Sequence, residues 1–389
     1  MNTTRIGMSQ LRLMPQLRLM TMAMITGLTI VFYTTLAAQA AEIKVTTVKD
    51  EVEQNGSCSL REAILSANDD IAVDSCAAGA GADKIVLGAG LYTLAIDGIG
   101  DDANLSGDLD VSDDLNLIGA DGAEKTIIDG RQIDRVLHIQ AGVRIGLAGI
   151  TVQNGLVGGS NGLGGGLLAE AGAVSLSGVR FIDNNAGRGG ALYVNNMLTI
   201  RNSSFVGNEA GEGGAIYHST RGKAQIVNTL FANNHGQKGS VYFLASGALA
   251  DTTILHTTIA SDSAEVGSAI DINGGSASIV NTIITSYATA IQANAGKVSA
   301  SYNLFFDLSA VMEGKGTLID NGYNLVGKNP AFVDPANGDY RLSPGSAALK
   351  HGKPAGILTD FFGTLRPRNS GVDIGFAQMP TVAIALSSK

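Results

Sequence analysis

A short glycine motif repeats through the middle of this 389-residue chain, and it limits the folds that the chain can adopt. In each copy, one or more glycines are followed, directly or after one or two small residues, by an aliphatic residue and then by a variable one. The copies begin at Gly164, Gly189, Gly213, Gly239 and Gly267, with spacings of 25, 24, 26 and 28 residues. A second motif, Phe-x-x-Asn, lies between copies and begins at Phe181, Phe205 and Phe231. An internal repeat with a period of this length indicates a stacked architecture.

The repeat unit is rich in short runs of alternating apolar and polar residues, such as Leu198-Thr-Ile200, which is typical of β-strands. A unit of about 24 residues with two or three strands and no helix cannot bury its apolar side alone, whereas stacked units can. The sequence therefore predicts an all-β fold, a parallel β-helix. We expect a right-handed winding, because parallel β-crossovers are nearly always right-handed.

Alignment of the copies separates an inner column from an outer one. The aliphatic column, which we expect to face the core, is Leu167, Leu192, Ile216, Val241, Ile270 and Ile291. The residue after it in each strand should face outward, because successive side chains of a strand point to opposite sides. These outward residues are Leu168, Tyr193, Tyr217, Tyr242, Asp271 and Gln292. The three tyrosines predict an aromatic ridge that binds a glycan or a partner protein, with Asp271 at its end. The alternative is that the ridge is an aromatic ladder that only stabilises the fold.

An asparagine column is predicted where each coil turns, at Asn184, Asn208 and Asn234. Asparagine accepts the left-handed backbone of turns, and its amide can bond to the asparagine in the coil above or below. We therefore expect a structural role for this column.

The N-terminus has the order of a secretory signal peptide. Basic residues occur before position 19, positions 19–36 carry no charge, and Ala38-Gln-Ala40 is a small-x-small cleavage site. The sequence thus predicts a signal peptide over 1–40 and no membrane span after its removal. The alternative is an uncleaved anchor, because 18 uncharged residues approach spanning length.

Two cysteines, Cys58 and Cys76, are the only ones in the chain, and in an exported protein they most simply form a disulfide. Two free thiols or a metal site are the alternatives. Ser59 and Glu62 have the spacing of a capping box, and Leu60, Ala63, Ile64 and Ala67 form one apolar helical stripe. We expect a short helix that covers the N-terminal end of the solenoid.

Several of these segments resemble known families. Cys58-Ser-Leu-Arg-Glu-Ala63 resembles the CSLREA domain of exported bacterial β-helix proteins, and the glycine and Phe-x-x-Asn motifs resemble polymorphic outer-membrane protein repeats. Asn329–Gly345, Gly363–Pro367 and Val372–Gly375 resemble choice-of-anchor regions of such chains. The resemblance implies a right-handed, pectin-lyase-like parallel β-helix that is secreted or held at the bacterial cell surface or outer membrane.

These observations predict four segments. They are a signal peptide over 1–40, an N-terminal cap with the disulfide over 41–82, the β-helix repeats over 83–328, and a C-terminal capping, choice-of-anchor-like segment over 329–389.

Acidic residues outnumber basic ones by 35 to 26, which argues against nucleic acid as a partner. The densest acidic run lies between positions 101 and 114. Carboxylate oxygens are the ligands that Ca²⁺ prefers, so a Ca²⁺ site is one interpretation of Asp108, Asp110, Asp113 and Asp114. The alternative is a solvated acidic loop. The sequence predicts no other cofactor.

Enzymes are the main competing interpretation, because related β-helices include polysaccharide lyases and glycoside hydrolases. Such sites need several carboxylates aligned on neighbouring coils. The aligned columns contain only Asp271, so no catalytic residues are predicted. We expect a non-enzymatic protein that adheres to a glycan or a surface protein, and a purely structural envelope component is the third alternative.

Overall fold

The computed structural model describes residues 40–380 except 220, 221, 246 and 248, with the backbone alone at 263–266. The predicted signal peptide thus lies outside the described residues, apart from position 40. The described part contains one α-helix, α1 (Leu60–Asp69), one short 3-10 turn (Pro335–Asn337) and thirty strands. Twenty-five of these strands join in one sheet, and every strand pairing between successive coils is parallel. The prediction of a parallel β-helix is confirmed, and its handedness stays a prediction.

The strands follow in chain order. The first ten are β1 (Glu42–Lys44), β2 (Asp83–Leu87), β3 (Gly90–Thr93), β4 (Leu109–Val111), β5 (Leu115–Gly119), β6 (Thr126–Asp129), β7 (Leu137–Ile139), β8 (Ile145–Ala148), β9 (Thr151–Gln153) and β10 (Leu167–Ala169). The next ten are β11 (Ala173–Ser177), β12 (Arg180–Ile182), β13 (Asn185–Arg188), β14 (Leu192–Val194), β15 (Met197–Arg201), β16 (Ser204–Val206), β17 (Glu209–Glu212), β18 (Ile216–His218), β19 (Lys223–Val227) and β20 (Leu230–Ala232). The last ten are β21 (His235–Lys238), β22 (Tyr242–Leu244), β23 (Asp251–Leu255), β24 (Thr258–Val280), β25 (Ile283–Ser301), β26 (Leu304–Glu313), β27 (Thr317–Asp320), β28 (Leu325–Val326), β29 (Phe332–Asp334) and β30 (Asp339–Leu342).

Each regular coil has three main faces. Face A stacks β4, β7, β10, β14, β18 and β22 and continues into β24, β25 and β26. Face B stacks β1, β2, β5, β8, β11, β15, β19 and β23 and continues through β24 and β25 to β27. Face C stacks β3, β6, β9, β12, β16 and β20 and continues through β24, β25 and β26 to β28. The short strands β13, β17 and β21 form a separate sheet between faces C and A.

Apolar residues of the three faces meet inside the coils. On face C the predicted phenylalanine column is buried, and the rings of Phe181, Phe205 and Phe231 stack with centroids 5.2 and 4.9 Å apart. Ile259 and Ile284 continue the column, in line with the pairing register. Because each coil contributes one large side chain at the same height, the core continues along the whole stack.

The asparagine column forms the predicted ladder. The Asn208 amide oxygen accepts bonds from the backbone N–H and the side-chain amide of Asn184, and the Asn208 amide donates to Asn234 (2.9 Å). All three side chains are fully buried. The left-handed backbone belongs to the residue before each asparagine, for example Asp183 (φ 53°) and Asn233 (φ 54°).

Helix α1 begins as predicted. The hydroxyl of Ser59 accepts from the Glu62 backbone N–H (3.1 Å), and a Glu62 carboxylate oxygen accepts from the Ser59 N–H (2.9 Å). The predicted apolar stripe is buried, and the disulfide between Cys58 and Cys76 is formed. The cap is therefore a short helix held by both a capping box and a covalent bridge.

The C-terminal segment runs back along the side of the solenoid. After the hairpin of β29 and β30, its residues bond to corners of coils far upstream in sequence, including Thr359 to Asn228 and Lys353 to Asn281. This segment therefore covers the flank of the middle coils.

Candidate functional site

One column of residues occupies the middle position of the three-residue strands on face A. The pairing register places these residues in successive coils: Asp110, His138, Leu168, Tyr193, Tyr217, Phe243, Asp271, Gln292 and Glu313. The flanking positions of each strand face the core, so the middle position faces outward by strand alternation. This outward column begins with an acid and a histidine, continues with aromatic rings and ends in polar residues.

The aromatic part of the outward column is a continuous stack. The rings of Tyr193 and Tyr217 lie 5.0 Å apart and 6° from parallel, and those of Tyr217 and Phe243 lie 5.1 Å apart. Tyr217 and Phe243 are only 8% and 6% exposed, whereas Tyr193 is more open. The guanidinium of Arg188 lies 5.7 Å from the Tyr217 ring centre. Most of the ring surface is thus used within the protein, as in a stabilising ladder.

Tyr242, the third predicted ridge residue, lies in the core, so its predicted outward placement is wrong. It pairs with Ile216 in the inner column, is fully buried, and its hydroxyl bonds to His218 (2.8 Å) and Thr252 (2.9 Å). Burial raises the pKa of this hydroxyl above its usual range. Val241 is buried in the core as predicted, but Tyr242, and not Val241, pairs with Ile216 of the aliphatic column.

A one-residue offset explains this error. The prediction aligned the tyrosines, whereas the coil corners align on the glycines Gly189, Gly213 and Gly239, which have φ of 66°, 67° and 57°. Counting four residues from the glycine gives Tyr193, Tyr217 and Phe243. The corner glycine sets the register because residues with a Cβ rarely adopt this left-handed backbone.

Asp271 continues the outward column but is only 2% exposed. Its carboxylate accepts bonds from Ser268 (3.3 Å), Asn273 (3.5 Å) and Asn294 (3.1 Å). Burial raises the pKa of Asp271 to about 6, against the opposing effects of Ser268 and Lys238. The structure thus places Asp271 in an amide network beside the aromatic stack.

The acidic run is separated into different environments. Asp108 pairs with Arg135 at 2.7 Å, and Asp114 pairs with Arg144 in an exposed position. Burial raises the pKa of Asp108 to about 6, although Arg135 lowers it. Asp113 accepts a bond from the backbone N–H of Asp114 (2.7 Å). Of the four predicted Ca²⁺ ligands, Asp110 alone lies in a cluster able to hold a metal among the described residues.

That cluster joins Asp110 to two residues that the sequence argument did not select. One ligand atom from each of Asp102, Asp110 and His138 lies within 4.8 Å of the others. His138 Nδ1 is 2.9 Å from an Asp110 oxygen and 3.5 Å from an Asp102 oxygen, and Nε2 is 3.4 Å from Glu170. Burial lowers the pKa of His138, but the hydrogen bond to Asp110 and nearby carboxylates raise it overall. Aligning strand 109–111 with 137–139 would have indicated this pair.

The cap holds this end of the outward column in place. Arg61 of α1 is fully buried, forms a bidentate pair with Asp50 (2.7 and 3.1 Å), and donates to the backbone oxygens of Gly107 and Asp108. Asn104 donates to the Arg61 backbone oxygen (2.9 Å). The middle of the acidic run, from Gly107 to Asp110, is therefore buried under the cap, whereas Asp102 is exposed.

A groove of about 860 Å³ lies over the sheet of β13, β17 and β21. These strands supply most of its lining, with residues 157–160 and 267 completing it. Small residues occupy the middle of β13 and β17, as at Ala186 and Ala210, whereas β21 has Gly236 and Gln237 there, and polar side chains occupy the ends of all three strands. The groove spans several coils, and none of its lining was selected as a binding site from the sequence.

Polar ladders run along the groove. Arg188, Glu212 and Lys238 are in register, and Glu212 bonds to both cations, at 3.3 Å to Arg188 and 3.0 Å to Lys238. At the other end of the strands, Asn185 donates to Glu209 (3.3 Å). Because Arg188 also lies against Tyr217, the groove borders the aromatic stack.

The chain matches no protein-family model and no curated protein. No helix among the described residues is long and apolar enough to cross a membrane. The functional interpretation therefore rests on the geometry of the outward column and the groove.

Proposed function

We propose that this is an exported, extracellular or cell-surface protein that binds a glycan in the groove over β13, β17 and β21. The observation that supports this is the groove of about 860 Å³ with alternating cationic and anionic side chains along it. The disulfide is compatible with an oxidising compartment outside the cytoplasm. The secretion signal over 1–40 remains a prediction from the sequence.

The chemistry of the groove suits a sugar polymer better than an apolar ligand. Sugar hydroxyls both donate and accept hydrogen bonds, and the groove offers donors at Arg188 and Lys238 and acceptors at Glu209 and Glu212. Parallel coils repeat these groups about every 4.8 Å on a rigid sheet. A regular row of polar groups favours a ligand that is itself a regular polymer. Tyr193, the more exposed ring of the stack, adds an apolar surface at the border.

The test is a glycan-array screen with the purified full chain, followed by titration calorimetry on the best glycan. Glu212→Ala removes the acceptor that holds Arg188 and Lys238 in register, so we expect binding to fall at least tenfold. Surface ion pairs contribute only about 0–1 kcal/mol, so unfolding should change little. The matched control is Arg201→Ala, because Arg201 is an exposed arginine of the same coil on face B that bonds to Gln225 (2.7 Å).

Two outcomes would contradict the groove assignment. Equal glycan affinity of Glu212→Ala and the unchanged chain would exclude the ladder as part of the binding site. An equal loss of affinity in Arg201→Ala would indicate that the effect of Glu212→Ala is nonspecific. Binding of a surface protein but of no glycan would favour the protein-partner alternative. Absence of any ligand would favour a structural envelope component.

A second candidate, cleavage of an acidic polysaccharide, is favoured by one observation, the His138 ring between carboxylates. A histidine within 2.9 Å of Asp110 and 3.4 Å of Glu170 has partners that orient it for proton transfer. Incubation with acidic polysaccharides, with and without Ca²⁺, would reveal new reducing ends or unsaturated ends. Cleavage that is lost in His138→Ala and kept in His351→Ala would assign the reaction to this cluster.

A further inference from the structure

The predicted signal-peptide cleavage site lies next to the first strand of the solenoid. Ala40 is exposed, and Ala41, which directly precedes β1, is half-buried. The backbone oxygen of Ala41 accepts from the Lys84 N–H (2.9 Å), where the parallel pairing of β1 with β2 begins. Ala41 is thus bound into the solenoid by its own backbone.

The backbone nitrogen of Ala41 donates to a buried carboxylate. Its acceptor is Oδ1 of Asp83, at 2.9 Å, and Asp83 is the fully buried first residue of β2. The backbone N–H of Ala80 donates to the same oxygen, also at 2.9 Å. Two neutral amides therefore fix the Asp83 carboxylate beside Ala41.

This carboxylate is incompletely compensated. Oδ2 of Asp83 is buried and has no hydrogen-bond partner among the described residues. Asp83 also forms no ion pair within the described part of the chain, because the neighbouring Lys84 pairs with Glu42 (2.8 Å). Burying a carboxylate is costly unless a cation accompanies it. The site beside Ala41 therefore lacks one positive charge.

We propose that cleavage between Ala40 and Ala41 creates an α-ammonium group that pairs with the Asp83 carboxylate in the mature protein. Hydrolysis adds the oxygen of water to the Ala40 carbonyl carbon and breaks the bond from that carbon to the Ala41 nitrogen. The nitrogen takes both protons of the water, so the products are the Ala40 carboxylate and the Ala41 ammonium. This inference rests on the export proposed above and does not depend on glycan binding.

The geometry needed for this ion pair is present before cleavage. The Ala41 nitrogen is 2.9 Å from Oδ1 of Asp83, which lies in the range of charge-assisted hydrogen bonds. Cleavage therefore turns a neutral donor into a cation without moving it. The buried carboxylate gains the charge that it lacks, and the β1–β2 end of the solenoid should become more stable.

The position of cleavage determines whether the pair can form. A chain that began at Ala40 would carry its ammonium one residue away, about 3.8 Å along the backbone, on an exposed residue where water screens it. A chain that began at Glu42 would lack the Ala41 nitrogen and its bond to Asp83. Cleavage before Ala41 alone places the charge on this carboxylate.

The test compares urea unfolding of the mature chain, 41–389, with that of the chain 40–389, each released from a removable N-terminal fusion. We expect the unfolding equilibrium constant to be about tenfold smaller for the chain that begins at Ala41, since its bond to Asp83 becomes charged. Asp83→Asn keeps an acceptor but removes the charge, so it should abolish this difference. The matched control is Glu42→Gln, which removes an exposed carboxylate beside the terminus and should preserve the difference.

The reactivity of the α-amino group gives a second readout that needs no variant. Ion pairing keeps the amine protonated, so acetic anhydride should modify the Ala41 amine of the native chain about tenfold more slowly than the Ala40 amine of 40–389. The two amines should react alike in concentrated urea. Mass spectrometry of the N-terminal peptide measures both rates.

N-terminal sequencing of the full chain after export from a bacterial host should begin at Ala41, and a different first residue would overturn the assigned cleavage. Equal stability of the two forms, or a stability difference that persists in Asp83→Asn, would overturn the ion pair. Equal reactivity of the two native amines would do so as well. The glycan screen is a separate measurement, so failure of the groove proposal is distinguishable from each of these results.

Discussion

The asparagine ladder should be one of the most sensitive parts of the fold, and Asn208→Ala tests it. In the structure, the Asn208 amide oxygen accepts two bonds from Asn184, and its nitrogen donates to Phe181 (3.0 Å), Val206 (3.3 Å) and Asn234 (2.9 Å). The side chain is fully buried, so water does not replace these partners. Truncation to alanine removes all five bonds.

The expected loss follows from what each partner retains. The Asn184 side chain keeps its bond to Val152, and the Asn234 oxygen keeps the Asn208 backbone N–H. The Asn184 backbone N–H has no other side-chain acceptor and would be left unpaired. An unpaired buried donor costs roughly 1–3 kcal/mol, and each other lost bond about 0.5–1.5 kcal/mol. Together these changes give a range of about 3–9 kcal/mol. Because the two hydrogens of the Asn208 amide are shared among three acceptors, we expect a loss in the lower part of that range, about 4 kcal/mol.

Urea unfolding followed by circular dichroism measures this loss, provided that the slope with denaturant is the same in each variant. The matched control is Asn185→Ala, because Asn185 is the next residue and makes one exposed bond, to Glu209 (3.3 Å). It should lose less than about 1 kcal/mol. If Asn208→Ala were no less stable than Asn185→Ala, the ladder would contribute nothing to stability and the reasoning would be refuted.

Three further predictions concern the cap and the flank. Replacing Cys58 and Cys76 by serine should lower the free energy of unfolding by about 3 kcal/mol in urea, and alkylatable thiols in the native exported protein would contradict the bridge. Arg61→Met leaves the Asp50 charge buried, so it should cost about 3–5 kcal/mol, part of which Asp50→Asn should restore. Burial lowers the pKa of His256 from 6.5 to about 2, so unfolding takes up a proton and stability falls as pH drops below 6.5, by up to about 1.4 kcal/mol per pH unit. Urea unfolding measured at several pH values should show a smaller dependence of stability on pH for His256→Asn than for the unchanged chain. Identical pH slopes for the two proteins would exclude this contribution of His256.

Local patterns predicted most of the architecture. The alternation in Leu198–Ile200 indicates a strand whatever the partner is, and the glycine spacing indicates coils that can stack. Ser59 and Glu62 predicted the start of α1, because a capping box depends only on residues three apart. These predictions are confirmed since each depends on contacts that are near in sequence or repeated in every coil.

The candidate sites were harder to predict. Tyr242 was assigned to the wrong face, because in a strand a shift of one residue moves a side chain from outside to inside. Asp110 and His138 were not associated, because they are 28 residues apart in coils too irregular to align by motif. The groove ladder of Arg188, Glu212 and Lys238 was missed because the short strands that carry it contain glycine and no alternation of apolar and polar residues, so no local pattern marks them as strands.

The sequence by itself determined a parallel solenoid with a helical, disulfide-linked cap, because period-two strands, corner glycines and the capping box act locally. Only the tertiary structure decided which outward residues are buried, how the acidic run divides, and where the C-terminal segment lies. That segment joins Arg366 to Asn228 across 138 residues, and no local pattern encodes such a contact. The cavity of about 420 Å³ beside His256 is lined by residues of that segment and of the solenoid, which only the folded chain brings together.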